Sequence, residues 1–171
     1  MVRQKSGISR GSLYHHFQDI SELLELAMVE SFALSVDQSI TVLTAILHSA
    51  KNRDEMLKGL FLVTEQTQPR SLSKRRIQRA RLISFTEDNP RLKASLAVEQ
   101  QRLTDAITDL IREAQERGWM SRNVDPRCAA VLIQAYTLGK IVDDVVTPQM
   151  SEAGWNGLIN QIIEKVLAAK E

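Results

Sequence analysis

The chain carries one cysteine, Cys128, among its 171 residues. A single thiol excludes a disulfide framework within the chain and suits a reducing compartment. Histidine is nearly as scarce: His15, His16 and His48 are the full set. Neighbours on a helix point about 100° apart, so His15 and His16 are poorly placed to share a metal, and no His-x-x-His or Glu-x-x-His spacing occurs. The seven glycines form neither a phosphate loop nor a dinucleotide fingerprint. No strand pattern, internal repeat or low-complexity linker stands out. The first residues lack the apolar core of a secretion signal, and no run reads as long enough for a membrane span. These absences predict a soluble cytoplasmic protein with no membrane segment, metal site or cofactor, and they speak against an enzyme.

What is present is ordinary in bulk and uneven in detail. Hydrophobic residues make up 43% and charged residues 25%, in the range of a globular protein. Lys and Arg number 22 against 21 Asp and Glu. Residues 1–18, however, hold Arg3, Lys5 and Arg10 and no acid. A small basic end on a neutral chain hints at a polyanionic partner.

Apolar residues recur at helical spacing nearly throughout. Asp19 and Glu22 form a capping pair for a helix from Ile20 to about His48, with a possible break near Asp37. Asn52 and Glu55 open a second helix that Pro69 ends. The next segment, "SLSKRRIQRARLISFTED", is basic on one side and apolar on the other. Asn89 and Pro90 read as cap and first residue of a helix that stops at Gly118. Asp125 and Pro126 repeat that signal for a helix expected to reach about Val146, and a last helix opens near Ser151.

Several groups admit a bland and a sharp reading. The last two helices are more apolar than a surface helix requires. They form either a buried monomer core or a pair that meets its own copy in a four-helix bundle. Cys128 reads as a small buried apolar residue, and Asp143–Asp144 as a solvated edge rather than a metal ligand. The cluster Lys74, Arg75, Arg76, Arg79 and Arg81 reads as a solvated face, or as a segment lying near a nucleic acid.

The stretch "GISRGSLYHHFQD", residues 7–19, is the most informative. Ser9 can cap a short helix from Arg10 to Phe17. Ile8, Leu13 and Phe17 share one face. Tyr14, His15 and His16 sweep round the rest with Arg10, Gly11 and Ser12, offering hydroxyls, imidazoles and a guanidinium but no acid. Such groups suit phosphate oxygens and base edges, and Gly7 suits the turn of a helix-turn-helix. A polar capping turn on an ordinary helical protein is the alternative.

The longer stretch "SGISRGSLYHHFQDISELLELAMVE" resembles the end of the DNA-binding domain of the TetR family of bacterial transcriptional repressors. Gly7, Ile8, Ser9, Leu13, Tyr14, His16, Phe17, Glu22, Leu23 and Leu24 fall in register on the family pattern. That pattern is a Gly-hydrophobic-Ser turn, a recognition helix ending Leu-Tyr-x-His-Phe, and a long helix opening Glu-x-Leu. Beyond it the chain is similar in architecture alone. The resemblance implies an all-α fold: a truncated helix-turn-helix head over residues 1–36 on a ligand-binding and dimerisation domain over residues 37–171. It implies a ligand-responsive repressor that binds a palindromic double-stranded DNA operator as a homodimer, with an unidentified small-molecule effector.

By position, the resemblance makes Ser9, Arg10, Gly11, Ser12, Tyr14, His15 and His16 the DNA-facing residues. Tyr14 and His16 match phosphate-contacting positions; Arg10, Ser12 and His15 are the expected base readers. Met28, Phe32, Phe61, Phe85, Trp119 and Tyr136 fall in the segments that line family pockets. Ala135, Gly139, Trp155, Leu158, Ile159, Ile162 and Val166 fall on the expected dimer face. Two departures stand out. Ile20 takes the place of a lysine that many members set near a phosphate. The family's first helix and most of its second also have no counterpart ahead of Gly7, which implies a start codon placed too late, a product cut short or a shortened gene. Losing about three or four buried anchors at about 1.5–3 kcal/mol each would rival a domain's net stability of about 5–15 kcal/mol. The alternative is therefore a helical ligand-binding or dimerisation module without specific DNA binding.

Overall fold

The computed structural model describes residues 19–169. Helix α1 runs Ile20–Ser49, α2 Arg53–Thr67, α3 Ser73–Ser84 after a 3-10 turn at Arg70–Leu72, and α4 Pro90–Glu116. Helix α5 runs Pro126–Gly139, a short turn α6 Ile141–Asp144, and α7 Glu152–Ile162, which ends in a π-type turn at Ile163–Leu167. Among the described residues no strand forms; one isolated bridge joins Met120 to Ala168. The fold is all-α.

The helix starts follow from local side chains. Asp19 accepts from the Glu22 amide at 2.8 Å, Asn52 from Glu55 at 2.9 Å, Asn89 from Leu92 at 2.9 Å, and Asp125 from Cys128 at 2.7 Å. Each satisfies an amide that the first helical turn leaves without a partner. Glu55 also reaches back to the Lys51 amide at 2.9 Å. Gly118 adopts φ +75°, the left-handed conformation that stops α4.

Helix α1 is continuous past Asp37 and lies along α4. Glu25 pairs with Arg91 at 2.9 Å, Asp37 with Arg102 at 2.6 Å, and His48 with Glu113 at 3.2 Å. These links join residues 65 or 66 positions apart. A constant offset means that the two helices run parallel in one register. Phe32, Val36 and Leu47 of α1 are buried with Leu92, Leu96, Leu103, Ile107 and Ile111 of α4. Helices α4 and α5 form an antiparallel hairpin: Gln115 donates to the Val124 carbonyl, and Gln134 reaches Thr104.

Three sequence expectations change. Helix α1 is long and apolar enough to cross a bilayer by composition, with a window mean hydropathy of 1.3. The scattered Glu25, Glu30 and Asp37 hide this in a search for uncharged runs, and here two of these acids bind α4 instead. The helix expected to reach Val146 breaks at Lys140, whose ammonium turns inward to donate to the Gln68 carbonyl. Cys128 is exposed rather than buried. Ala129 and Ala130 take the inward face of α5 (2% and 0% exposed), which turns Cys128 to solvent, and neighbouring Asp125 holds the thiol above its ordinary pKa.

Candidate ligand cavity and its polar neighbours

A cavity of about 70 Å³ lies between the helices. Helix α1 contributes Leu43, Ile46 and Leu47, and α2 contributes Met56, Leu60 and Val63. Helix α4 adds Ile107, Leu110, Ile111 and Ala114; Ile133 and Tyr136 come from α5. Met120, Ile163 and Leu167 close the end beside the C-terminal turn. The walls are aliphatic apart from Tyr136. Such a surface excludes water and admits an apolar group, since apolar cavities stay dry. Burial pushes the Tyr136 phenol above its ordinary pKa, with Thr64 and Thr137 pulling the other way through hydrogen bonds. The phenol is therefore neutral and the cavity carries no charge.

Of the residues assigned to a pocket by position, Tyr136 lines this cavity. Phe32 is buried under the guanidinium of Arg79, whose carbon lies 5.1 Å from the ring centroid. Met28 and Phe61 pack against the core from its edge. Trp119 lies beneath Arg117 at 5.0 Å, and Phe85 is 55% exposed. Most lining residues are branched aliphatics, whose role no local motif marks.

A polar ladder adjoins the cavity. Arg79 donates to the side-chain oxygen of Gln100 at 3.1 Å. Gln100 donates to Gln134 at 2.5 Å, and Gln134 to the Thr104 hydroxyl at 3.1 Å. Gln134 follows the lining residue Ile133. Thr104 precedes Ile107 by three residues, about 4.5 Å along the helix axis.

The basic segment of α3 is not uniformly solvated. Arg76 and Asp144 form a bidentate pair, at 2.6 Å from Nε and 2.7 Å from Nη2, with side chains 5% and 1% exposed. Asp144 is thus no solvated edge: the break at Lys140 turns it inward onto α3. Arg76 holds its carboxyl below the ordinary aspartate pKa. Among the described residues no cluster of three His, Cys, Asp or Glu is placed to hold a metal.

On the opposite side of α5, Val131 (51% exposed), Ala135 and Gly139 form an exposed stripe of apolar and small residues, and Val142 on α6 is 72% exposed. On α7 and its terminal turn Leu158 and Val166 are exposed as well, while Ile159 is buried and Trp155 and Ile162 are half-buried. Trp155 donates to the Gln68 side chain at 3.1 Å, so its ring belongs to the interior. Ser9, Arg10, Gly11, Ser12, Tyr14, His15 and His16 lie outside the described residues.

No protein-family description matches the sequence, and no curated protein does. Solved structures do match in fold. A transcriptional regulator from Saccharomonospora viridis in complex with choline is 18% identical with a TM-score of 0.69, over 99% of this chain and 85% of that one. A TetR-family transcriptional regulator from Mesorhizobium loti is 16% identical with a TM-score of 0.71, over 98% and 85%. A TetR-family regulator from Rhodococcus sp. is 22% identical with a TM-score of 0.61, over 96% and 85%. The chain has the all-helical fold of these regulators.

Proposed function

We propose that this protein is a ligand-responsive, DNA-binding transcriptional repressor that acts as a homodimer. The observation that carries the reading is the fold likeness to transcriptional regulators over nearly the whole chain. The cavity and the exposed apolar residues of α5 and α7 support it.

In this mechanism Ser9, Arg10, Gly11, Ser12, Tyr14, His15 and His16 read the operator. Two copies meet through the stripe and set two reading segments one helical turn apart on a near-palindromic site. The reading segment leads directly into α1, and the far end of α1 walls the cavity with Leu43, Ile46 and Leu47. A helix of 30 residues is about 45 Å long. A tilt of a few degrees at the cavity therefore moves the far end by a few ångströms. A ligand drives the change only if it binds the two tilts with different affinity. Choline, bound by the Saccharomonospora viridis protein, is not the expected effector: the lining here offers one aromatic ring and no carboxylate for a cation.

The test is selection from random duplexes with the full chain at moderate salt, followed by fluorescence anisotropy on the enriched sequence. Enrichment of a two-fold site supports the repressor. Retention of duplexes with no common sequence would sink it and leave a helical ligand-binding module.

A further inference from the structure

The cavity between the helices sorts its occupants first by size. An enclosed apolar cavity of about 150 Å³ takes up benzene or xenon, so no permanent channel is needed for molecules of this kind. By the same measure, about 70 Å³ suits an organic molecule of about three or four non-hydrogen atoms.

Polarity sorts them next. Among the described residues, Tyr136 supplies the one polar side chain of the lining; the other walls, Leu60, Val63, Ile107 and Ile133 among them, are apolar. A buried water needs about two to four polar partners, and one phenol does not provide them. An ion would be enclosed without a counter-charge, which is costly. The occupant that fits is uncharged, with an apolar body and one polar atom.

The placement of protons decides which polar atom. A hydroxyl carries a single proton. Thr64 donates its proton to the Leu60 carbonyl at 3.2 Å, and Thr137 donates to the Ile133 carbonyl at 2.9 Å. Both threonine oxygens are within hydrogen-bond reach of the Tyr136 phenol, and with their protons committed they accept. The phenol proton therefore goes to one of them, and the phenol oxygen is left as an acceptor. Thr64 is 1% exposed, so bulk water does not compete for this arrangement. An acceptor pairs with a hydroxyl and finds no partner in a carbonyl oxygen.

We propose that the cavity is a site for a small aliphatic alcohol, whose hydroxyl donates to the Tyr136 phenol oxygen and whose alkyl group packs against Leu60, Ile107 and Ile133. This rests on the reading of the cavity as the ligand site of a regulator.

The probes are xenon, propan-2-ol and propanone, titrated into the full chain. A molecule this small binds weakly, so NMR chemical shifts provide the readout. Propan-2-ol and propanone match in size and differ in whether the oxygen can donate. Tyr136→Phe removes the acceptor: propan-2-ol affinity should fall about three- to tenfold, the worth of one net hydrogen bond, while propanone affinity should hold. Thr64→Val together with Thr137→Val frees the phenol proton, so propanone affinity should rise by a similar factor. Should that double variant not fold, Tyr136→Phe decides alone. Xenon binding with unchanged propan-2-ol affinity in Tyr136→Phe would overturn the alcohol site, as would an equal loss of both organic probes. If none of the three probes binds the parent, the cavity is no ligand site and the inference falls with it. If the affinities behave as expected and no two-fold DNA site is enriched, the repressor reading fails and the alcohol site stands.

Discussion

Arg76 on α3 and Asp144 on α6 face each other with two parallel hydrogen bonds of 2.6 and 2.7 Å, both side chains nearly inaccessible to water. The pair joins the turn after α5 to the segment that follows α2. Removing one partner leaves the other charge buried and alone, which typically costs about 3–5 kcal/mol. Asp144→Asn should therefore lower unfolding stability in urea by roughly that amount. The double replacement Arg76→Met, Asp144→Leu should recover most of the loss, because apolar packing also avoids the desolvation of two charges. A double variant as unstable as the single one would mean that the pair has no apolar substitute at this site.

The same pair sets a pH response. The Asp144 carboxyl is held below its ordinary pKa, first by hydrogen bonds to Arg76 and then by its charge, against desolvation. Unfolded, the group protonates near pH 4; folded, it resists protonation to lower pH. Its contribution is therefore complete above about pH 4 and declines as pH falls through the folded value. The stability gap between the parent and Asp144→Asn should be constant from pH 7 to about 5 and should narrow below about pH 4. A gap that stays constant through the acid range would contradict the assignment.

Local features of this chain are legible in its sequence, and distant contacts are not. Asp19, Asn52, Asn89, Asp125 and Ser151 sit at the helix starts expected of them, because a cap is decided within three residues. The pairing of Arg76 with Asp144 spans 68 residues, so nothing near either residue announces it. The inward turn of Lys140 onto Gln68 spans 72. Without these two contacts the apolar pattern from Pro126 to Val146 reads as one helix, and Asp144 as a solvent-facing acid. The cavity was legible only at Tyr136: its other walls are aliphatic residues indistinguishable in sequence from plain core. Cys128 faces solvent because the neighbouring Ala129 and Ala130 serve as the packing face equally well.

The α5 stripe offers a test of self-association that spares the fold. A Cβ added at Gly139 would meet nothing within 4 Å, and glycine inside a helix is the least favourable residue short of proline, by about 1 kcal/mol relative to alanine. Gly139→Arg should leave the far-ultraviolet circular dichroism and the monomer's melting temperature unchanged or slightly improved. If the α5 stripe with Val131 and Ala135 is the surface between copies, the same variant should sediment as a monomer at concentrations where the parent is a dimer. A parent that is monomeric throughout, or a variant that still dimerises, would place the surface elsewhere.

Gly59 tests the cavity from outside its lining. A Cβ at Gly59 on α2 would lie 2.7 Å from Cγ2 and 3.2 Å from Cγ1 of Ile46 on α1. Both distances are too short, so something must give. Ile46 borders the 70 Å³ cavity and can rotate into it, at a strained-rotamer cost of about 0.5–1.5 kcal/mol. Replacing a helical glycine with alanine returns about 1 kcal/mol. Gly59→Ala should therefore change stability by less than about 1 kcal/mol while shrinking the cavity, and xenon uptake at the 70 Å³ site should drop several-fold. Loss of several kcal/mol with unchanged xenon uptake would mean that α1 and α2 separate instead of Ile46 rotating into the cavity.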